Sequence, residues 1–119
     1  MHTYTNLIVW QKAMQLVAEV YALTRNFPKE EMHGLTSQMR RAAVSIPSNI
    51  AEGRLRASDK EFRQFLLTSF GSGGELETQI EIAKQLQFAT AGDCAKASAL
   101  LTEVMKILNT LISKRVSPS

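Results

Sequence analysis

Apolar residues recur every three to four positions along almost the whole chain, which is the spacing of one face of an α-helix. This periodicity predicts four helices, over residues 7–26, 34–53, 59–88 and 94–114, with a short C-terminal tail at residues 116–119. Short connections favour antiparallel neighbours, so we expect an all-α, up-down-up-down four-helix bundle. The 119 residues suffice for one hydrophobic core, and we expect a single domain over residues 1–119.

The first predicted helix carries two apolar stripes, about 100° apart around its axis. One stripe comprises Leu7, Trp10, Met14, Val17 and Tyr21, and the other Val9, Ala13, Leu16, Val20 and Leu23. Because the core of one bundle covers about one such stripe, this wide face predicts burial against a second chain in a closed homo-oligomer. The residues predicted to span the core and the oligomer interface are Val9, Trp10, Leu16 and Val20.

Proline, glycine and capping residues mark special positions in these helices. Pro47 lies inside the second helix and predicts a kink there, and Gly53 is a candidate C-terminal cap. Ser58 with Glu61 matches a capping box at the start of the third helix, and Asp93 is a candidate N-cap for the fourth. The run of glycines at residues 71–74 predicts close approach of another helix or a local kink. A phosphate-binding loop is the weaker alternative, because the Gly-x-x-x-x-Gly-Lys pattern is absent.

Positive charge is concentrated where the second helix ends and the third begins. Six basic and three acidic residues lie between positions 40 and 63, a local excess equal to the net charge of +3 of the whole chain. The candidate nucleic-acid-binding residues are Arg54, Arg56, Lys60 and Arg63. The alternative is a solvated elbow whose arginines pair with nearby carboxylates. The adjacent Arg40 and Arg41 point about 100° apart on a helix, so at least one should face a neighbour; which of them is exposed stays open.

No combination of residues in the sequence points to catalysis. The glutamates at positions 75, 77 and 81 lack the Glu-x-x-His motif of a di-iron bundle, and Cys94 has no candidate histidine base nearby. We therefore expect no enzymatic activity, no metal site and no cofactor. The single cysteine, the lack of a signal-peptide pattern and the lack of an apolar run of about 20 residues predict a cytoplasmic protein without a membrane span.

Several short motifs together resemble one bacterial family. They are Leu-Ile-Val-Trp-Gln-Lys-Ala at 7–13, Phe-Pro at 27–28, Gln-Met-Arg-Arg-Ala-Ala at 38–43, Ser-Ile-Pro-Ser-Asn-Ile-Ala-Glu-Gly at 45–53 and Glu-Leu-Glu at 75–77. The chain resembles the four-helix-bundle family encoded in intervening sequences of 23S ribosomal RNA genes. This resemblance implies an antiparallel bundle and a ring-like homo-oligomer, a pentamer. The fold is also remotely similar to the accessory protein of diversity-generating retroelements, a basic pentameric bundle that binds nucleic acid and a reverse transcriptase.

Two functions remain after this reasoning. The first is a non-enzymatic oligomeric bundle that binds structured RNA, or another RNA or DNA, through the four candidate basic residues between the second and third helices. The second is an oligomeric protein–protein scaffold whose arginines serve internal pairing only. The feature that separates them is whether the four basic residues form one exposed surface or are occupied by partners within the chain.

Overall fold

Four α-helices make up most of the chain in the computed structural model, which describes residues 3–115. They are α1 (Ile8–Thr24), α2 (Leu35–Arg54), α3 (Asp59–Gln85) and α4 (Ala91–Ser113). Short 3-10 turns at Tyr4–Asn6 and Lys29–Glu31 precede α1 and α2. The prediction of an all-α four-helix bundle is confirmed. The predicted tail at 116–119 lies outside the described residues.

The helices form a closed ring of neighbours. α1 packs against α2 and α4, and α3 packs against the same two helices, whereas the backbones of the diagonal pairs stay further apart within the described part of the chain. The connection from Leu55 to Ser58 spans at most about 14 Å. Because α2 and α3 are each about 30–40 Å long, this connection must reverse the chain direction. The arrangement is compatible with the predicted up-down-up-down topology.

Every helix contributes one stripe of side chains to a single hydrophobic core. Fully buried aliphatic side chains are each worth about 1.5–3 kcal/mol relative to exposure. The largest of them are Leu16, Met39, Ile46, Ile50, Leu66, Leu76, Ile80, Leu101 and Leu108. None of the helices within residues 3–115 combines the length and apolarity that a membrane crossing requires.

Capping groups explain where α3 and α4 begin and end. Ser58 Oγ accepts a hydrogen bond from the Glu61 amide at 3.2 Å, so Ser58 is the N-cap of α3 as predicted. The Glu61 carboxylate does not bond back to the Ser58 amide, so the predicted capping box is only half formed. α3 ends at Gln85, earlier than predicted, because Gln87 adopts the left-handed region (φ 65°) and the Phe88 amide bonds back to the carbonyl of Ala83.

The prediction of Asp93 as the N-cap of α4 was wrong. Thr90 is the N-cap: its Oγ1 accepts from the Asp93 amide at 3.0 Å, and the Asp93 carboxylate accepts from the Thr90 amide at 2.9 Å. This reciprocal pair is a capping box with Asp93 at its third helical position. α4 therefore begins at Ala91, three residues before the predicted start.

The glycines have different roles from one another. Gly53 does not cap α2 as predicted, because it lies inside the helix, where an added Cβ would be 2.6 Å from Cβ of Phe65. Gly73 likewise permits close packing of α3 on Met105 of α4, as the small-residue interpretation predicted. Gly71 and Gly74 face open space. Close helix approach thus explains Gly53 and Gly73 only.

Pro47 lies inside α2, which continues through it, and its ring is buried. The Ser69 hydroxyl of α3 donates at 2.9 Å to the carbonyl of Ile46, the residue directly before Pro47. This bond fixes α3 to α2 beside the proline, while the predicted kink itself stays a prediction.

Candidate nucleic-acid interface

The four predicted nucleic-acid-binding residues lie at one end of the bundle, on the last turn of α2, the following loop and the first turn of α3. Lys60 is exposed and makes no hydrogen bond or ion pair with any other residue in the range 3–115. Arg54 is half-buried, and its Nε is buried without a hydrogen-bond partner among those residues. The two cations therefore differ: Lys60 is open to a ligand, whereas Arg54 is partly buried.

Arg56 is held over the surface by two contacts within the chain. Its Nη2 lies 2.8 Å from Oε2 of Glu52, one helical turn away, and its guanidinium lies 4.9 Å from the ring centroid of Phe65. Both charged side chains of the pair are about half exposed, 44% and 55%, so the ion pair contributes little to stability and is screened by salt. The remaining guanidinium N–H groups stay available to an external acceptor.

Arg63 contributes to the fold as well as to the charge of this end. Its Nε donates to the backbone carbonyl of Ile112 at 3.4 Å, in the last turn of α4. The same carbonyl accepts from the Arg115 amide at 3.1 Å, so the Arg63 guanidinium is a second donor there, and its charge complements the negative end of the helix dipole. Substitution of Arg63 would therefore perturb α4 in addition to any ligand contact.

The structure adds two basic residues that the sequence reasoning missed. The antiparallel packing brings Lys114 and Arg115, at the end of α4, beside the first turn of α3. Arg115 lies over the ring of Phe62 at 4.7 Å, and its Nε is 3.8 Å from Oδ1 of Asp59, an ion pair too long for a hydrogen bond. Lys114 is exposed. In sequence these two residues are about 50 positions from the elbow, so only the bundle topology could have indicated them.

We call the resulting surface the basic end: Arg54, Arg56, Lys60, Arg63, Lys114 and Arg115. The acidic residues at the same end are Glu52, Asp59 and Glu61. Six basic against three acidic residues leave an excess of three positive charges, which is the whole net charge of the chain. The rest of the molecule is therefore neutral in sum.

Arg40 and Arg41 have opposite environments, which answers the question that the sequence left open. Arg40 Nε donates to Oγ1 of Thr24 at 2.9 Å, and its guanidinium lies 4.5 Å from the ring centroid of Tyr21. Arg41 is exposed and has no hydrogen-bond or ion-pair partner among the described residues. The expectation that at least one of them faces a neighbour is confirmed by Arg40.

The residues predicted for an oligomer interface lie mostly in the core of the chain itself. Val9, Leu16 and Val20 are at most 1% exposed, so they leave no surface for a second chain, and this assignment needs correction. Trp10 is half-buried and contacts Tyr4, with ring centroids 5.4 Å apart. Of the two apolar stripes of α1, the one through Val9 and Leu16 faces inward because α2 and α4 both pack against it.

Groups suited to catalysis or metal binding are not assembled in the described part of the chain. Within residues 3–115, no cluster of three or more histidine, cysteine or acidic side chains could hold a metal ion. Cys94 is buried, and desolvation raises the pKa of its thiol above the ordinary value, which keeps it protonated at neutral pH. The groove of about 390 Å³ between α3 and α4 contains Glu77 and Glu81 but no histidine or cysteine.

Comparison with known proteins agrees with this architecture. The family model described as 23S rRNA-intervening sequence protein matches residues 5–110. A crystal structure of a protein of unknown function from the S23 ribosomal protein family of Bacteroides thetaiotaomicron superimposes with a TM-score of 0.79 at 21% identity. The match covers 88% of this chain and 98% of that one, and at this identity it shows a shared fold. No curated protein matches the sequence significantly.

Proposed function

The chain belongs to the 23S rRNA-intervening sequence protein family, and we propose that it is a non-enzymatic, self-associating bundle that binds nucleic acid through its basic end. The observation that carries this proposal is the position of the charge: the entire net charge of +3 lies at one end of the molecule. A polyanion is the ligand class that gains most from such a surface, because each neutralised phosphate releases condensed counterions.

The exposed cations support binding that is weak and independent of sequence. Lys60 and Lys114 are exposed, and Arg56 keeps unused N–H groups beside its partner Glu52. Phosphate contacts position a nucleic acid but carry no base information. The aromatic rings at this end, Phe62 and Phe65, lie beneath arginines rather than open to bases, so little stacking contributes.

Self-association is proposed through the outward face of α1. The exposed residues of this helix are all uncharged: Ile8, Gln11, Met14, Gln15, Ala18, Tyr21 and Ala22. Ile8 is 59% exposed and Met14 45%. Depletion of charged residues together with exposed Met and Tyr is typical of the centre of a protein–protein interface. Several copies of the basic end on one particle, as in the pentamer that the resemblance implies, would raise affinity for one polyanion by avidity.

A scaffold without any nucleic-acid role is the second candidate. Its support comes from the guanidinium groups already engaged within the chain: Arg56 with Glu52, and Arg63 with the Ile112 carbonyl. Under this alternative the basic end only joins α2, α3 and α4, and the surface of α1 performs the function.

The two candidates are separated by a fluorescence-anisotropy titration with a structured RNA, a duplex DNA and an unstructured single strand at low salt. The test variant is Lys60→Gln with Lys114→Gln, because these exposed side chains make no hydrogen bond or ion pair within residues 3–115 and their loss should leave the fold intact. The matched control, Lys29→Gln with Lys96→Gln, removes the same charge from exposed positions elsewhere.

We expect the Lys60 and Lys114 variant to bind about tenfold more weakly than wild type, with a shallower dependence on salt. The control should bind within about twofold of wild type. Equal losses in both variants would mean that only overall charge matters. Absence of wild-type binding at tens of micromolar would favour the scaffold.

A further inference from the structure

Two grooves of opposite charge lie on opposite sides of the bundle. The helices follow one another around the bundle in chain order, so the α1–α2 side is opposite the α3–α4 side. The α1–α2 groove, of about 580 Å³, is lined by Arg40 and Arg41 and by no carboxylate of the described residues. The α3–α4 groove, of about 390 Å³, is lined by Glu77 and Glu81 and by no cation from residues 3–115.

The α1–α2 groove keeps one positive charge after the contacts within the chain are counted. Arg41 also borders the neighbouring α2–α3 groove together with Glu75, which offsets its charge. Arg40 donates to the Thr24 hydroxyl and lies over the Tyr21 ring, but it makes no ion pair within residues 3–115. The guanidinium of Arg40 is therefore the charge on this side that lacks a carboxylate.

The α3–α4 groove keeps one negative charge and has an apolar floor. Glu81 is bridged to Lys84 at 2.6 Å, whereas Glu77 is exposed and makes no ion pair in the described part of the chain. Beneath these side chains the groove is lined by Ile80 and Leu101, both almost fully buried. Such a groove fits an apolar side chain that protrudes from a surface carrying a cation.

The exposed side chains of α1 are of this kind, and they lie at the right level along the bundle. Met14 and Tyr21 are 45% and 37% exposed. Lys12 of α1 is bridged to Glu103 of α4 at 2.7 Å. Because α1 and α4 are antiparallel, Met14 lies level with Leu101 in the floor of the α3–α4 groove.

The two unpaired charges are also level with each other. Arg41 and Glu75 line one groove between the antiparallel helices α2 and α3. From these residues, Arg40 and Glu77 are displaced toward the same end of the bundle, by about 1.5 Å and 3 Å. A neighbouring copy placed side by side, without a shift along the bundle, therefore brings opposite charges together.

We infer that the α1–α2 side of one copy binds the α3–α4 side of the next copy, head to tail. The ridge of α1 with Met14 enters the acidic groove, and the edge of α3 with Glu77 enters the basic groove beside Arg40, as ridges of one helix pair fill grooves of another. This inference rests on the self-association in the proposed function and names its second surface.

Charge selects this contact over a two-fold one. In a two-fold contact the same surface lies on both copies, so two α1–α2 sides would bring arginines together without a carboxylate, and two α3–α4 sides would do the same with glutamates. Head-to-tail copies without a shift also carry their basic ends on one side of the particle. That arrangement is the one in which several basic ends can contact one polyanion.

The experiment breaks one side of the contact at a time. Met14→Glu places a carboxylate opposite the glutamates of the next copy, and Thr102→Glu places one inside the α3–α4 groove, where Met14 would bury it. Thr68→Glu is the matched control, because Thr68 is exposed on α3 and lines neither groove. Far-UV circular dichroism confirms that each variant is folded, and light scattering measures its mass.

We expect wild type and Thr68→Glu to have the same mass, several times 13.2 kDa, and each test variant alone to be a monomer. An equal mixture of Met14→Glu and Thr102→Glu should form a heterodimer and nothing larger, because each supplies the side that the other lacks. Adding Glu77→Gln to the Met14→Glu chain should weaken this heterodimer about threefold, since it removes the partner of Arg40.

The contrary results are distinct. A two-fold contact between α1–α2 sides would leave Thr102→Glu with the wild-type mass, and the mixture would form no heterodimer; either result overturns the head-to-tail contact while self-association stands. An unchanged heterodimer affinity with Glu77→Gln would refute the charge pairing that selects it. If wild type itself is a monomer, self-association and this inference fail together, and nucleic-acid binding by a single basic end is tested separately by the Lys60 and Lys114 variant.

Discussion

The contrast between Gly53 and Gly71 gives the sharpest test of the packing. A Cβ at Gly53 would lie 2.6 Å from Cβ of Phe65 and 3.0 Å from Cδ1 of Phe62. Carbon atoms in contact prefer about 3.5–4.0 Å. Since Cβ of Phe65 is attached directly to the backbone of α3, no rotamer change relieves the clash. Gly53→Ala therefore forces α2 and α3 apart by about 1 Å.

The two glycine-to-alanine substitutions should change the free energy of unfolding in opposite directions. Overpacking costs about 1–3 kcal/mol, and replacing a helical glycine by alanine returns up to about 1 kcal/mol, so Gly53→Ala should destabilise the fold by about 1–2 kcal/mol. Gly71 also lies inside a helix, but a Cβ there has nothing within 4 Å. Gly71→Ala should therefore stabilise the fold by about 0.5–1 kcal/mol.

Thermal and urea unfolding followed by far-UV circular dichroism measures both effects. For a chain of this size the two variants should differ in Tm by roughly 10 °C. All samples need the same protein concentration, because self-association would make Tm depend on it. Gly53→Ala with wild-type stability would refute the close-approach argument. Destabilisation by Gly71→Ala would show that the surface around Gly71 is covered in solution.

Three further predictions concern the ends of the helices. Thr90→Ala removes the N-cap of α4 and should cost about 1 kcal/mol in urea unfolding. The hydrogen bond from the Thr90 amide holds the pKa of Asp93 below its ordinary value. The stabilisation from this bond is therefore present above the unfolded-state pKa and is lost as pH falls through the folded-state pKa. Asp93→Asn should flatten the curve of stability against pH below about pH 4. Arg63→Gln removes the side-chain bond to the Ile112 carbonyl, which still accepts from the Arg115 amide, and should lower stability by about 0.5–1 kcal/mol. Lys60→Gln, one turn away, should leave the urea midpoint unchanged.

The sequence predicted the helices and the core well because these depend on local periodicity. The apolar periodicity predicted all four helices, and the cap at Ser58 fixed the start of α3. The end of α3 and the start of α4 were each missed by three residues. A left-handed Gln87 and a threonine cap three positions before Asp93 are weaker sequence signals than glycine and aspartate.

The features that depend on neighbouring helices could not be read from one sequence. Both stripes of α1 are apolar, and the positions of α2 and α4 decide that Val9 is buried while Met14 is exposed. In the sequence, Gly53 lies where a helix cap is expected. In the fold, it lies where α2 packs closely against Phe65 of α3. Lys114 and Arg115 join the basic end because α4 runs antiparallel to α3, a consequence of the topology alone.

A single substitution at Met14 can test whether assembly and nucleic-acid binding are connected. Met14→Arg places a charge in the middle of the uncharged outward face of α1, where Met14 is 45% exposed. If that face is the interface between copies, burying an unpaired guanidinium there is strongly unfavourable, and light scattering should show a mass near 13.2 kDa instead of a multiple of it. A mass unchanged from wild type would place the interface elsewhere.

Whether Met14→Arg strengthens or weakens nucleic-acid binding distinguishes attraction between charges from avidity of the assembled particle. The variant is more positive than wild type, so attraction to phosphate alone would strengthen binding of the unstructured single strand. Loss of assembly removes the repeated basic ends, and because avidity contributes a factor of about 10² or more, it would weaken binding despite the added charge. We expect weaker binding, by at least about tenfold. Tighter binding by a monomeric variant would show that one basic end suffices and that avidity has no part in recognition.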